Sequence, residues 1–411
     1  MAFADFQYEI YAGGLSGETP PLALAAAELQ EAARQRLSAE AFGYVAGGAG
    51  SELTMRANLA AFERWQIVPR MLRDVSERDL STSLLGTAMP APVLLAPVGV
   101  QSIVHPDAEL AAARAAAAHG LPFILSTAAS HAIEEVAAAM EPTHPASRWY
   151  QLYWPKDHEL AASFVSRAGA AGYAAIVLTL DTWMLGWRPR DLQHAYLPFL
   201  KGEGVANYFS DPVFRAALER TPEEDPGAAI GHWVYQFSNP TVSWEDLAWL
   251  REQTALPIVL KGILHADDAR RAIAAGVDGV IVSNHGGRQV DGAIGALDAL
   301  PGVRDAVGDR FPVLFDSGIR TGADVFKALA LGADAVCLGR PYVWGLALGG
   351  QAGVEYVLRC LLAELDLTLA LSGYTEIAQV DRSALTRVES AGGGIPATST
   401  RRADSAGGEI P

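Results

Sequence analysis

The chain has 411 residues, half of them hydrophobic, enough apolar material for one large core with extensions. Its 31 Lys and Arg stand against 47 Asp and Glu, a formal charge of −16, so the overall field repels polyphosphates and argues against a nucleic acid partner. The two cysteines, Cys337 and Cys360, lie in apolar surroundings without metal-ligand spacing, the usage expected of a reduced, cytoplasmic protein that binds no metal.

The segment that starts at Met1 lacks a basic stretch followed by an apolar run, so no secretory signal is expected. Residues 1–90 read as mostly helical, closing in turn-rich sequence around Thr87, and are expected to form an N-terminal helical cap over one end of the next domain. The longest uncharged apolar stretch, 84–104, is interrupted by Pro90, Pro92, Pro97 and Gln101, which suits a turn and a strand better than a membrane helix.

From Pro92 onward, short apolar runs alternate with helical periodicity. Eight strands are predicted, at 92–97, 123–126, 149–153, 175–181, 257–262, 279–285, 312–318 and 335–340. Continuous apolar strands separated by helices imply a parallel sheet covered on both faces. Between the third and fourth strands, Leu160, Ala161, Phe164, Val165 and Ala168 share one helical face, with Asp157 placed to cap it and Gly172 to end it. Val325, Ala328 and Leu329, with a stop at Gly332, repeat the pattern. Polar residues close nearly every strand at its C-terminal end, where barrel enzymes carry their sites, so the fold expected over 91–386 is an α/β (β/α)8 TIM barrel rather than an open sheet. After the fourth strand comes a long insertion, 188–243, whose Trp233, Tyr235 and Phe237 argue against disorder and for a lid or a subunit contact. The tail, 387–411, is rich in Gly, Ser and Thr and contains a short imperfect repeat starting at Ser390 and again at Ser405; it is expected to be flexible.

The chemistry concentrates at strand ends. Ser283-Asn-His-Gly-Gly-Arg-Gln puts the imidazole of His285 and the guanidinium of Arg288 at the barrel mouth. Asp181 closes the fourth strand, placed to orient the ring and stabilise an imidazolium, and Arg188 follows seven residues later as a second carboxylate clamp. Lys261, at the end of the fifth strand, is suited to a Schiff base or to a fixed charge facing an anionic cofactor. Asp316-Ser-Gly-Ile-Arg-Thr-Gly and Leu338-Gly-Arg-Pro follow strands seven and eight, the loops that commonly form a barrel's phosphate site.

These motifs, with Leu178-Thr-Leu-Asp-Thr, resemble those of the FMN-dependent 2-hydroxy acid dehydrogenases and oxidases, over a stretch from about Tyr44 to Thr368. Within that family the likeness is greatest to the lactate 2-monooxygenase branch, through Asn207-Tyr-Phe-Ser-Asp-Pro-Val-Phe in the insertion, Gly186-Trp-Arg-Pro-Arg-Asp, and Gly99, where simple oxidases typically carry alanine. The glycine is expected to open space beside the cofactor. The resemblance implies His285 as the base and Asp181 as its partner, Arg188 and Arg288 on the substrate carboxylate, and Tyr44 and Tyr153 as hydrogen-bond donors. It further implies FMN held at its ring by Pro97, Val98, Gly99, Ser126, Gln151, Thr179, Lys261 and Ser283. The phosphate and ribityl chain fall to Asp316, Ser317, Gly318, Arg320, Gly339 and Arg340. Ala128 stands where glycolate oxidases carry a bulky Trp, which leaves room for a substrate larger than glycolate.

The expected activity is oxidation of a small L-2-hydroxy acid, foremost L-lactate and O2 to acetate, CO2 and water, by a homotetramer or homo-octamer. Release of keto acid and hydrogen peroxide is the neighbouring alternative. A quinone-linked membrane dehydrogenase fits poorly with the charged insertion. From other classes, a Schiff-base aldolase using Lys261 and a non-catalytic flavin-binding barrel remain open.

Overall fold

A computed structural model describes residues 2–140 and 147–388. All eight predicted strands form, and they close into one parallel barrel: β1 (Val93–Leu95), β2 (Phe123–Ser126), β3 (Arg148–Leu152), β4 (Ile176–Thr179), β5 (Ile258–Ile263), β6 (Gly279–Val282), β7 (Val313–Phe315) and β8 (Ala335–Leu338). Closure is made by β8 against β1, with Val336, Cys337 and Leu338 opposite Val93, Leu94 and Leu95. A helix follows each strand: α1 (Ala108–Ala118), α2 (Ile133–Met140), α3 (His158–Ala170), α4 (Asp246–Gln253), α5 (Ala266–Ala274), α6 (Ala296–Val307), α7 (Gly322–Ala330) and α8 (Arg340–Leu371).

The two-residue period of the strands sorts their side chains into two cores. Leu94, Ile124, Trp149, Val177, Val259, Ile281, Leu314 and Cys337 fill the barrel interior. Their neighbours Val93, Leu125, Tyr150, Ile176, Leu260, Val280, Phe315 and Val336 pack outward against the helices. Both sets are buried, which is why the strands read as unbroken apolar runs; each such side chain contributes about 1.5–3 kcal/mol. Helix α3 buries the five residues predicted for its face, and the Asp157 carboxylate accepts from the amides of Glu159 and Leu160. In α7 Thr321 and Asp324 form a reciprocal capping box, and Val325, Ala328 and Leu329 are buried.

The N-terminal ninety residues depart from the expected helical cap. Helices Phe6–Leu15, Ala26–Arg36, Ala39–Ala46 and Leu53–Glu63 form, but beyond Glu63 the chain makes short strands. Trp65–Ile67 pairs antiparallel with Leu385–Arg387, so that strand takes in the first residue of the expected tail. Thr82–Leu84 and Thr87–Met89 form a hairpin whose Leu84 and Met89 join the interior core, and whose Thr87 hydroxyl accepts from Trp149 Nε1 at 3.1 Å. The hairpin thus plugs one end of the barrel while Ala39–Ala46 lies at the other, beside the strand C-termini; the segment serves both ends. The repeat beginning at Ser390 lies outside the described residues.

The insertion is ordered, with helices Pro189–Gln193, Ala206–Phe209, Pro212–Ala216 and Pro226–Phe237. Two buried polar residues fasten it to the barrel. Asn207 donates to the carbonyls of Ser126 and Thr127 and accepts from the Ile133 amide, and Asp211 takes Ser163 and Arg167. Trp233 and Phe237 pack onto Phe199, whereas Tyr235 stays exposed beneath the Lys156 ammonium. No helix among the described residues is long and apolar enough to cross a membrane.

Candidate active site

A cavity opens at the C-terminal ends of the strands. Sixteen of the predicted site residues line it: Tyr44, Pro97, Val98, Gly99, Ser126, Tyr153, Arg188, Lys261, His285, Arg288, Asp316, Ser317, Gly318, Arg320, Gly339 and Arg340. The other four, Asp181, Gln151, Thr179 and Ser283, lie outside its lining. Asp181 and Ser283 bond to the lining residues His285 and Lys261, Gln151 bonds to Ser126, and Thr179 pairs in register with Lys261.

The chain leaves β6 through Ser283, whose hydroxyl accepts from the His285 amide at 3.0 Å and from Lys261 Nζ at 3.0 Å. His285 adopts a left-handed backbone, φ 57°, an uncommon conformation for a residue with a side chain. Its Nδ1 lies 2.7 Å from Asp181 Oδ1, and the Thr182 hydroxyl donates to the same carboxylate oxygen at 2.9 Å. Burial lowers the pKa of His285, against the opposing pull of Asp181, and Lys261 adds to the lowering. For Asp181, burial favours the neutral acid, but His285 and Lys261 beside it outweigh that cost and hold the carboxyl at about 2. The outcome is a neutral imidazole whose Nδ1–H is engaged by a carboxylate, leaving Nε2 as the available base.

Two pairs of guanidinium groups share the cavity, and among the described residues none of the four makes an ion pair with a carboxylate. Arg188 and Arg288 are neighbours: Arg188 Nε donates to the Arg288 carbonyl at 3.0 Å. Burial, then the Arg188 charge, push Arg288 down to about 10. Arg340 donates to the carbonyls of Val45, Gly286 and Gly47, and burial, then Arg320 and Arg288, press its pKa well below the ordinary value. Helix α8 starts at Arg340 with no side-chain cap on its first turn, so its positive end joins this second pair. Asp191, Asp324 and Glu52 offset part of this charge from a distance, but crowded, dehydrated cations with no ion-pair partner favour an anion at each pair.

Lys261 differs. Burial works against its charge, but Asp316, 3.3 Å away, and Asp181 prevail and raise its pKa above the ordinary lysine value. An ammonium held this firmly is a poor Schiff-base nucleophile, which disfavours the aldolase alternative.

Gly99 corrects an expectation. It lines the cavity, but a methyl there would fall 2.6 Å from the Ala128 carbonyl oxygen and 3.1 Å from the Ala128 Cβ. The glycine therefore permits close approach of two loops, tied by the Val100 amide to the Ala128 carbonyl at 2.7 Å, rather than leaving a void.

Several contributors escaped sequence reasoning. Thr182 and Gln289 lie inside the quoted motifs but drew no assignment, although their hydrogen bonds tie the strand-four loop to the strand-six loop. Leu185, Phe199 and Phe237 line the cavity from the loop and insertion, where aromatic content was the one signal.

Residues 33–387 match the family model described as FMN-dependent dehydrogenase. The chain belongs to this family. It is an oxidoreductase, and FMN is its cofactor. A Lysinibacillus sphaericus protein named L-lactate oxidase is 48% identical over 357 residues, covering 87% of this chain and 91% of its own length. The FMN-dependent alpha-hydroxy acid dehydrogenase qulF of Penicillium citrinum is 47% identical over 390 residues, 94% of this chain and 96% of its own. Among solved structures, Mandelate oxidase superposes with a TM-score of 0.78 at 38% identity, over 89% of this chain and 98% of that one. The cavity suits the family's cofactor: among the described residues Gln151 Nε2 and Thr179 Oγ1 are buried without partners, as a ring bearing polar heteroatoms requires, and Arg320, Arg340 and the α8 terminus offer a phosphate site.

Proposed function

We propose that this protein oxidises a small L-2-hydroxy acid, L-lactate foremost, to the corresponding 2-keto acid, in the cytoplasm. The observation that carries this reading is the pairing of a neutral, carboxylate-backed His285 with two unpaired guanidiniums in one cavity. Arg188 and Arg288 take the substrate carboxylate; Tyr44 and Tyr153 hydrogen-bond to substrate. Burial pushes the Tyr153 phenol up to about 12, which keeps it a donor. His285 Nε2 removes the α-hydroxyl proton, and Asp181 stabilises the imidazolium that results. Bound FMN supplies the two-electron acceptor. Protonated Lys261 holds a positive charge at the site, beside Ser283 and Asp316. Pro97, Val98, Gly99, Ser126, Gln151, Thr179 and Ser283 would hold the cofactor ring, and Asp316, Ser317, Gly318, Arg320, Gly339 and Arg340 would hold the ribityl phosphate.

The overall reaction would turn 2-hydroxy acid and O2 into keto acid and hydrogen peroxide, with FMN supplying the redox chemistry, as the names of the L-lactate oxidase relatives suggest. A second reading, lactate and O2 to acetate, CO2 and water, is favoured by Phe199 and Phe237, which the insertion contributes to the cavity wall where a retained product would be held. Anaerobic flavin bleaching across a panel of 2-hydroxy acids tests the first step, and bleaching by none of them refutes it. Under oxygen, peroxide in step with keto acid supports the oxidase, and acetate without peroxide the monooxygenase.

A further inference from the structure

We infer that Gln289 is a positioning residue that locks the base's carboxylate partner and the substrate-binding arginine into one register; this rests on the proposed oxidation of a 2-hydroxy acid. The loop from Asp181 to Arg188 has no regular secondary structure, and much of it faces outward: Trp183 is 53% exposed, Met184 56% and Trp187 73%. Packing alone therefore does little to fix the spacing between its two functional ends. The half-buried Gln289 amide spans the gap. Its Nε2 donates to the Asp181 carbonyl at 2.6 Å and to the Met184 carbonyl at 2.8 Å. Its Oε1 accepts from Arg188 Nη2 at 2.7 Å and from the Gly186 amide at 3.2 Å.

Both N–H groups and both lone pairs of the amide are thus engaged by one loop. Turning the amide over would set oxygen against two carbonyls and N–H against two donors, so only one orientation fits. The backbone carbonyl of the preceding residue, Arg288, takes Arg188 Nε at 3.0 Å. The Nε–Nη2 edge of the Arg188 guanidinium is held in this way, which leaves Nη1 for substrate. The strand-six loop consequently carries the base, one carboxylate clamp and the brace for the other. Glutamine meets the requirement, because this site needs two donors and two acceptors at the end of a side chain of this length.

Three variants of the holoenzyme, Q289M, R188M and the double variant, test the role, with L-lactate as probe and anaerobic flavin reduction as readout. Q289M is expected to keep FMN and to raise the half-saturating lactate concentration roughly tenfold to a hundredfold, the range for losing a hydrogen bond to a charged group. On the R188M background the same change should add less than about twofold, since its main target is gone. Q289E, isosteric and equally able to accept from Arg188, sets an oxygen against two carbonyls and an anion against the guanidinium; it should match Q289M. Wild-type half-saturation in Q289M, or an equal rise on both backgrounds, overturns the inference. Amide hydrogen exchange over residues 182–188, measured without substrate, reads the brace independently of turnover: faster exchange in Q289M supports it and unchanged exchange refutes it. Failure of wild-type bleaching would instead count against the oxidase reading.

Discussion

Asp181→Asn isolates the electrostatic contribution at this site. Asn is nearly isosteric and keeps an oxygen able to accept from His285 Nδ1, whose present contact is 2.7 Å, so the change is chiefly one of charge. As His285 takes the hydroxyl proton it becomes an imidazolium beside a carboxylate that is already ionised. Two unit charges about 4 Å apart at an effective dielectric of about 20 attract by about 4 kcal/mol. Losing that attraction where charge develops slows the step about a thousandfold. The assay is stopped-flow anaerobic flavin reduction at saturating L-lactate, followed across pH. Asp181 is the neighbour that raises the His285 pKa against burial, so its removal lowers that pKa further. Protonated His285 is inactive as a base; hence the acid limb of the rate profile shifts to lower pH while the plateau falls. A plateau within about tenfold of wild type, or a limb displaced upward, would refute the assignment of Asp181 as an ionised partner.

Two further variants probe the cofactor side. Arg340→Met removes a buried cation and strands three carbonyls, those of Val45, Gly286 and Gly47, so purified protein should carry much less FMN; a full flavin complement argues against a phosphate site there. Gly318→Ala places a methyl 2.8 Å from Phe62 and 2.9 Å from the Asn58 carbonyl at a backbone with φ 118°. It should cost about 1–3 kcal/mol in denaturant unfolding and weaken FMN binding; an unchanged midpoint with full cofactor would contradict it.

Much of the barrel is written in local pattern. Each strand is an unbroken apolar run because both its faces are buried, and α3 and α7 announce themselves through residues three and four apart with caps at either end. Site residues were legible for the same reason: barrel chemistry sits at strand C-termini, so His285, Asp181, Lys261 and Asp316 could be placed by counting strands. The expectation of a mostly helical 1–90 missed the hairpin Thr82–Met89, which draws its stability from the barrel interior, through Leu84, Met89 and the Trp149–Thr87 hydrogen bond, and not from its own periodicity.

Sequence by itself determined the eightfold alternation, the family's motifs and the identity of the charged groups, since periodicity and residue chemistry are properties of neighbouring positions. Only the tertiary structure decided what those groups feel. Burial makes His285 neutral, Asp316 keeps Lys261 charged, the Ala128 carbonyl fills the space Gly99 was expected to leave, and Gln289 binds together two loops about a hundred residues apart in the chain. Dehydration, pairing and close approach depend on which distant segments meet, and no spacing within a single segment encodes that.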